Sequence, residues 1–139
     1  MYKAIRNFAV LLVIAALFVP VSGIEAAPPT DKQPTVLVVY ADWCPLCQRL
    51  KPTLALINEK YHGRIRFIRF DLTSEETTAQ SKQLASKLGL TEFFKQNQET
   101  TSLVVIQDTS GHEVFRAVHD YDPQHYETVL DRQLHVEKK

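Results

Sequence analysis

At 139 residues, with 45% hydrophobic and 23% charged side chains, the chain has the size of one domain that can build a core without staples. Sixteen lysines and arginines balance sixteen aspartates and glutamates. No block carries one sign of charge, which argues against a nucleic-acid footprint, a membrane-surface patch or strong steering of a charged partner.

Lys3 and Arg6 precede an apolar run over residues 8–19, followed by Pro20, Val21, Ser22 and Gly23. A basic start, a short apolar stretch and small residues beyond it form the pattern of an export signal over residues 1–26. The run is shorter than the roughly 20 residues that span a bilayer. Cleavage after Gly23 or at Ala26 or Ala27 and retention as a signal anchor both stay open, and both place the rest of the chain outside the cytoplasm. No cysteine lies near the cleavage region, which argues against a lipoprotein anchor. Without this segment the balance is 14 basic to 15 acidic side chains, since Lys3, Arg6 and Glu25 leave with it.

Residues 27–34 contain Pro28, Pro29 and Pro34 and read as a linker into a domain over residues 35–136. The run Thr35-Val36-Leu37-Val38-Val39-Tyr40 is a strand buried on both faces. Pro45 can open a helix, where its missing N–H costs nothing. Leu50, Leu54 and Ile57 carry that helix to about Tyr61, Pro52 kinks it, and His62-Gly63 ends it. Residues 65–70 alternate apolar side chains with Arg66 and Arg69 as a second strand, with Arg64 just before it. Thr73 with Glu76 reads as a capping box for a helix bearing Leu84 and Leu88 and ending at Gly89. Residues 91–98, with Phe93 and Phe94, form a short extra helix. Residues 103–106 are a third strand, Asp108-Thr109-Ser110-Gly111 a turn, and residues 113–118 an antiparallel fourth strand. Asp122-Pro123 starts a last helix with Tyr126, Val129, Leu130 and Leu134 on one face. A right-handed crossover makes the first two strands parallel. The expected architecture is α/β: a four-stranded mixed sheet with helices on both faces.

The chain's two cysteines stand together in Trp43-Cys44-Pro45-Leu46-Cys47, directly after the first strand. A helix that opens there puts the first sulfur at its N-terminus, where free N–H groups and the helix dipole favour a thiolate. The second sulfur lies one turn inside. This is the layout of a thiol–disulfide redox site, beyond the C-terminal end of a central strand where chemistry gathers in such sheets. It requires sulfur 44 to face solvent within bonding reach of sulfur 47. Exported structural disulfides generally join distant segments, and closing so small a loop constrains the unfolded chain little. A metal site would need two further ligands, yet His62, His112, His119, His125 and His135 show no ligand spacing.

The segment Val39-Tyr40-Ala41-Asp42-Trp43-Cys44-Pro45-Leu46-Cys47 resembles the active-site region of the thioredoxin superfamily. Pro52, Phe70-Asp71 and residues 108–114 are similar to its kinked helix, second-strand end and hairpin turn. The likeness covers residues 33–136 and is greatest to exported or membrane-anchored members of bacteria and thylakoids. It implies the thioredoxin fold, with Cys44 as the attacking and Cys47 as the resolving thiol. Trp43, Pro45, Leu46, Thr101 and Ser102 would meet the substrate, and Asp42 and His119 would tune the site. It further implies disulfides of exported proteins as substrates, a membrane-embedded thiol carrier as electron donor, a monomer, and neither metal nor organic cofactor.

Three positions depart from the family pattern. Thr101 occupies the slot of a cis-proline, and because a non-proline cis bond costs about 2.5–4 kcal/mol, a trans bond is expected there. Val38 replaces the acid that many members bury beneath the resolving cysteine. His119 stands where a glycine is usual. Asp42 is expected, if anything, to oppose ionisation of Cys44. The competing readings are a binding or assembly module with a vestigial pair, and a metallochaperone.

Overall fold

Strand β1 (Thr35–Tyr40) is buried at all six positions, which only a strand covered on both faces and both edges can be. The computed structural model describes residues 32–136; the export signal and most of the linker lie outside the described residues. β1 runs parallel to β2 (Arg66–Asp71), Thr35 opposite Arg66 and Tyr40 opposite Asp71. On its other edge it pairs antiparallel with β3 (Leu103–Gln107), Val39 opposite Leu103. β4 (Glu113–Val118) closes the order β2-β1-β3-β4 and bulges against β3 between Ile106 and Gln107. The mixed sheet is the one expected.

The two-residue period of the strands divides the apolar side chains between two cores. Val36, Val38, Tyr40, Val104 and Ile106 meet Leu50, Leu54 and Ile57 of α1 (Pro45–Lys60) and Tyr126 and Leu130 of α4 (Pro123–Val136). Leu37, Val39, Ile68, Phe70, Leu103 and Val105 meet Ala85 of α2 (Glu75–Lys87) and Phe94 of α3 (Thr91–Asn97). Phe70 lies edge-on to Phe94 at 5.4 Å and tilted to Phe93 at 5.9 Å. Each such side chain contributes about 1.5–3 kcal/mol through burial. Pro52 lies inside α1 and leaves the Gln48 carbonyl without its usual donor.

One cap differs from expectation. Ser74, not Thr73, is the N-cap of α2: it has extended backbone, its side chain accepts from Thr77 N–H, and Thr77 replies to the Ser74 N–H. Thr73 belongs to the preceding turn, where its N–H donates to Asp71 Oδ1 at 2.9 Å. Its hydroxyl oxygen accepts from the Asp42 N–H at 3.0 Å, fastening the loop before the cysteines to the end of β2.

Candidate functional site

The cysteine pair begins where β1 ends. Cys44 is the N-cap of α1, with extended backbone at φ −87° and ψ 111°, and Pro45 follows it. The Cys47 N–H donates to Cys44 Sγ at 3.4 Å. A second donor reaches the same sulfur from the loop before β3, the Thr101 hydroxyl at 3.3 Å. Sequence distance is large here, 57 residues, so only the folded sheet brings the two together.

This geometry corrects the expected exposure. Cys44 is 5% exposed and Cys47 fully buried, so sulfur 44 is the more open of the two but does not stand out into solvent. Its acceptance of the Cys47 N–H and the cover of Thr101 account for the difference. Burial pushes the Cys44 thiol up, yet the hydrogen bonds from Thr101, from the Cys47 thiol and from the N–H groups of Cys47 and Leu46 outweigh it and hold the group below an ordinary thiol. Cys47 moves the other way. Burial raises it, and so does its neighbour Cys44. Fully buried Val38, in the same apolar cluster as Cys47, offers the proton no acceptor.

Trp43 is 63% exposed, its indole N–H donating to the Leu72 carbonyl at 3.3 Å. Pro45 is exposed, and Leu46 and Thr101 are half-buried. These four border the pair. Ser102, expected among the contact residues, is 1% exposed, so its side chain is not part of that surface. The Ser102 hydroxyl has no hydrogen-bond partner among the described residues. His119 is exposed and approaches through its backbone, its N–H donating to the Ser102 carbonyl at 3.1 Å.

Asp42 belongs to a hydrogen-bond network of its own. Its carboxylate accepts from the Tyr40 hydroxyl and from Lys51 Nζ at 3.4 Å, while its carbonyl accepts from Gln48 Nε2 at 2.7 Å. The Tyr40 hydroxyl and the Lys51 ammonium keep this carboxyl below the usual carboxylate range. Its charge is spent on a network that ties the loop to α1. Tyr40, Gln48, Lys51 and Thr73 escaped sequence reasoning, since each supports the site from a position with no chemical signature of its own.

Ser102 and His119 share one further feature, left-handed backbone at φ +59° and +60°. A side chain at such an angle costs about 1–2 kcal/mol per residue relative to ordinary backbone. The glycine absent from position 119 was the sequence signal for one of them. Nothing marked the other. Among the described residues no cluster of three or more histidine, cysteine or acidic side chains forms a metal-binding group.

Known proteins match both the sequence and the fold. The family model described as Thioredoxin matches residues 26–112. Thioredoxin-like protein HCF164, chloroplastic, of Oryza sativa subsp. japonica is 36% identical over 39 residues, 28% of this chain and 15% of that protein. Thioredoxin C-2 of Corynebacterium nephridii is 36% identical over 50 residues, 35% of this chain and 46% of that one. The chain thus spans less than half the length of these curated relatives. Among solved structures, Trxlp of Edwardsiella tarda superposes with a TM-score of 0.52 at 20% identity, covering 73% of this chain and 84% of that one. A malarial protein superposes at 0.50 with 17% identity, covering 73% and 98%. At such identities the structural likeness speaks for the fold, and the sequence match carries the rest: with residues 26–112 matched and its Trp-Cys-Pro-Leu-Cys segment beyond the C-terminal end of the central strand β1, this chain belongs to the thioredoxin family.

Proposed function

We propose that the chain is an extracytoplasmic thiol–disulfide oxidoreductase that reduces disulfides of exported proteins through Cys44 and Cys47. The observation that carries this is the Cys44 sulfur at the N-terminus of α1, with the Cys47 N–H and the Thr101 hydroxyl donating to it and Cys47 one turn below. As a thiolate, Cys44 attacks one sulfur of a partner's disulfide. The Cys44–partner bond forms, the partner's S–S bond breaks, and its leaving sulfur takes the electron pair and a proton. Cys47 gives up its proton and attacks Cys44. The Cys44–Cys47 bond forms and the second partner sulfur leaves, so two electrons and two protons have passed to the partner.

Trp43, Pro45, Leu46 and Thr101 offer the partner chain a flat, largely apolar rim. The basic and apolar opening of the sequence supports export, with residues 1–26 as signal or anchor. A membrane-embedded thiol carrier returns the electrons, because no soluble reductant pool is expected outside the cytoplasm, and the protein acts as a monomer. Replacing Cys44 with serine is expected to abolish insulin reduction, and Cys47→Ser to accumulate mixed disulfides on non-reducing gels. Full activity in Cys44→Ser would defeat the assignment.

The small exposure of Cys44 favours a second reading, a binding module whose pair no longer cycles. Thiol alkylation across a redox titration separates the two: a pair that stays in one state at all cellular poises belongs to a module.

A further inference from the structure

We propose that the Thr101 hydroxyl is a catalytic hydrogen-bond donor to Cys44, holding its sulfur as the thiolate in place of any contact a proline at that slot could make. The inference rests on Cys44 being the attacking thiol. Its ground is the 3.3 Å contact from Thr101 Oγ1 to Cys44 Sγ. Proline has no donor there. Threonine at this position therefore adds a polar contact to a sulfur that, among the described residues, is otherwise served by its own helix.

The backbone around Thr101 is built to keep that hydroxyl in place. Ser102, the next residue, adopts φ +59°, and its carbonyl is clamped by the N–H of His119, itself at φ +60°. One rung further on, Leu103 and Val118 pair in the sheet. Two adjacent strand ends thus carry left-handed residues that are not glycine, and such conformations persist only where the surroundings over-determine them. Buried Ser102 cannot relax into solvent. The threonine hydroxyl is presented by a loop with little freedom to move it.

The Cys47 thiol also donates to this sulfur, from within α1, so Thr101 is the donor that comes from outside the helix. Cys47 is the deeper thiol of the pair. The Asp42 carboxylate is engaged by Tyr40 and Lys51, and His119 contributes its backbone to the clamp.

Losing a hydrogen bond to the charged sulfur should weaken the acidity of Cys44 by about tenfold, about 1.4 kcal/mol. A less acidic thiolate is also a better nucleophile, with a Brønsted coefficient of about 0.4–0.5. The two effects leave a net loss of about threefold in reaction rate below the midpoint. The test is the pH dependence of iodoacetamide alkylation of Cys44 in the reduced protein, which needs no disulfide partner. Thr101→Val, similar in shape but without the hydroxyl, is expected to shift the midpoint up by about one pH unit and slow the reaction below it about threefold. Thr101→Ser is expected to keep the wild-type profile. Thr101→Ala removes the hydroxyl without adding bulk and repeats the measurement should valine disturb the loop. A wild-type profile in Thr101→Val or Thr101→Ala overturns the proposal, and so does a valine-like profile in Thr101→Ser, which would assign the effect to packing. Insulin reduction by the wild-type protein is followed in parallel. If it is absent while the alkylation profiles shift as expected, the donor role stands and the oxidoreductase reading falls.

Discussion

Val38 and Cys47 together are expected to set the slow step of the proposed cycle. Cys47 must lose a proton before it can attack, yet burial and its neighbour Cys44 both hold that proton on. Val38, a member of the same apolar cluster, is a valine with no exposed surface. An acid at that position would accept the proton and release it to solvent. Val38→Asp is therefore expected to speed release of the mixed disulfide at neutral pH, at a cost in stability, because a buried carboxylate without a partner is expensive. Release followed by quenched-flow alkylation checks this, and an unchanged rate would count against the account. Cys44 has the opposite balance: desolvation opposes its ionisation, but four hydrogen-bonding groups on one sulfur win. Two thiols one helical turn apart are thereby made unequal by what faces them.

The helix starts carry the local electrostatics of the domain. α1 begins on a sulfur rather than on the usual hydroxyl or carboxylate, which places the reactive atom against the orphan N–H groups that every helix start leaves over. At the start of α4, Asp122 Oδ1 accepts from the Gln124 N–H at 2.9 Å, and His125 Nδ1 pairs with Asp120 Oδ2 at 2.8 Å. The bond to Asp120, then the charges of Asp120 and Asp122, raise His125 above its ordinary value of 6.5. The folded protein thus holds the proton more tightly than the unfolded chain does. The stabilisation is complete below the ordinary histidine value and is lost as pH rises through the raised one. His125→Gln is expected to lower Tm relative to wild type at about pH 5.5 and to leave it unchanged at about pH 9. Because the pair is exposed at His125, salt should shrink the difference. Equal deficits at both pH values would remove the ion pair from the stability of α4.

Both faces of one sheet are needed to present the site. The face bearing α1 and α4 encloses the two cysteines, while the opposite face is closed by α2 and α3 around Phe70 and Phe94. Phe70 lies in β2 next to β1, is fully buried, and touches both rings of α3. Phe70→Ala should therefore destabilise the domain by about 3–5 kcal/mol, as large-to-small core changes do. Urea unfolding measures it. A loss below about 1 kcal/mol would mean that α3 collapses onto the gap and that the second core is not cooperative with the first.

The order of elements, the strand faces and the cysteine pair were legible along the chain because each is local. A two-residue apolar period, an N1 proline before a helical stripe, and two thiols three residues apart all act between near neighbours. The bounds shifted by a residue at β2, β3 and α3, and the cap expected at Thr73 fell to Ser74 because the Asp71 turn claimed the first. What could not be read was whatever depends on residues meeting across the sheet. Thr101 reaches Cys44 over 57 positions of sequence, Thr73 grips the loop before the cysteines, and Asp42 bonds to Tyr40 and Lys51. The exposure of Cys44 belongs to the same class, since solvent access is a property of everything that packs around an atom. Local pattern dictates which segments form and which atoms carry the chemistry; the long-range pairing of β1 with β3 dictates what surrounds those atoms, because a sulfur's environment is assembled only when distant strands come into register.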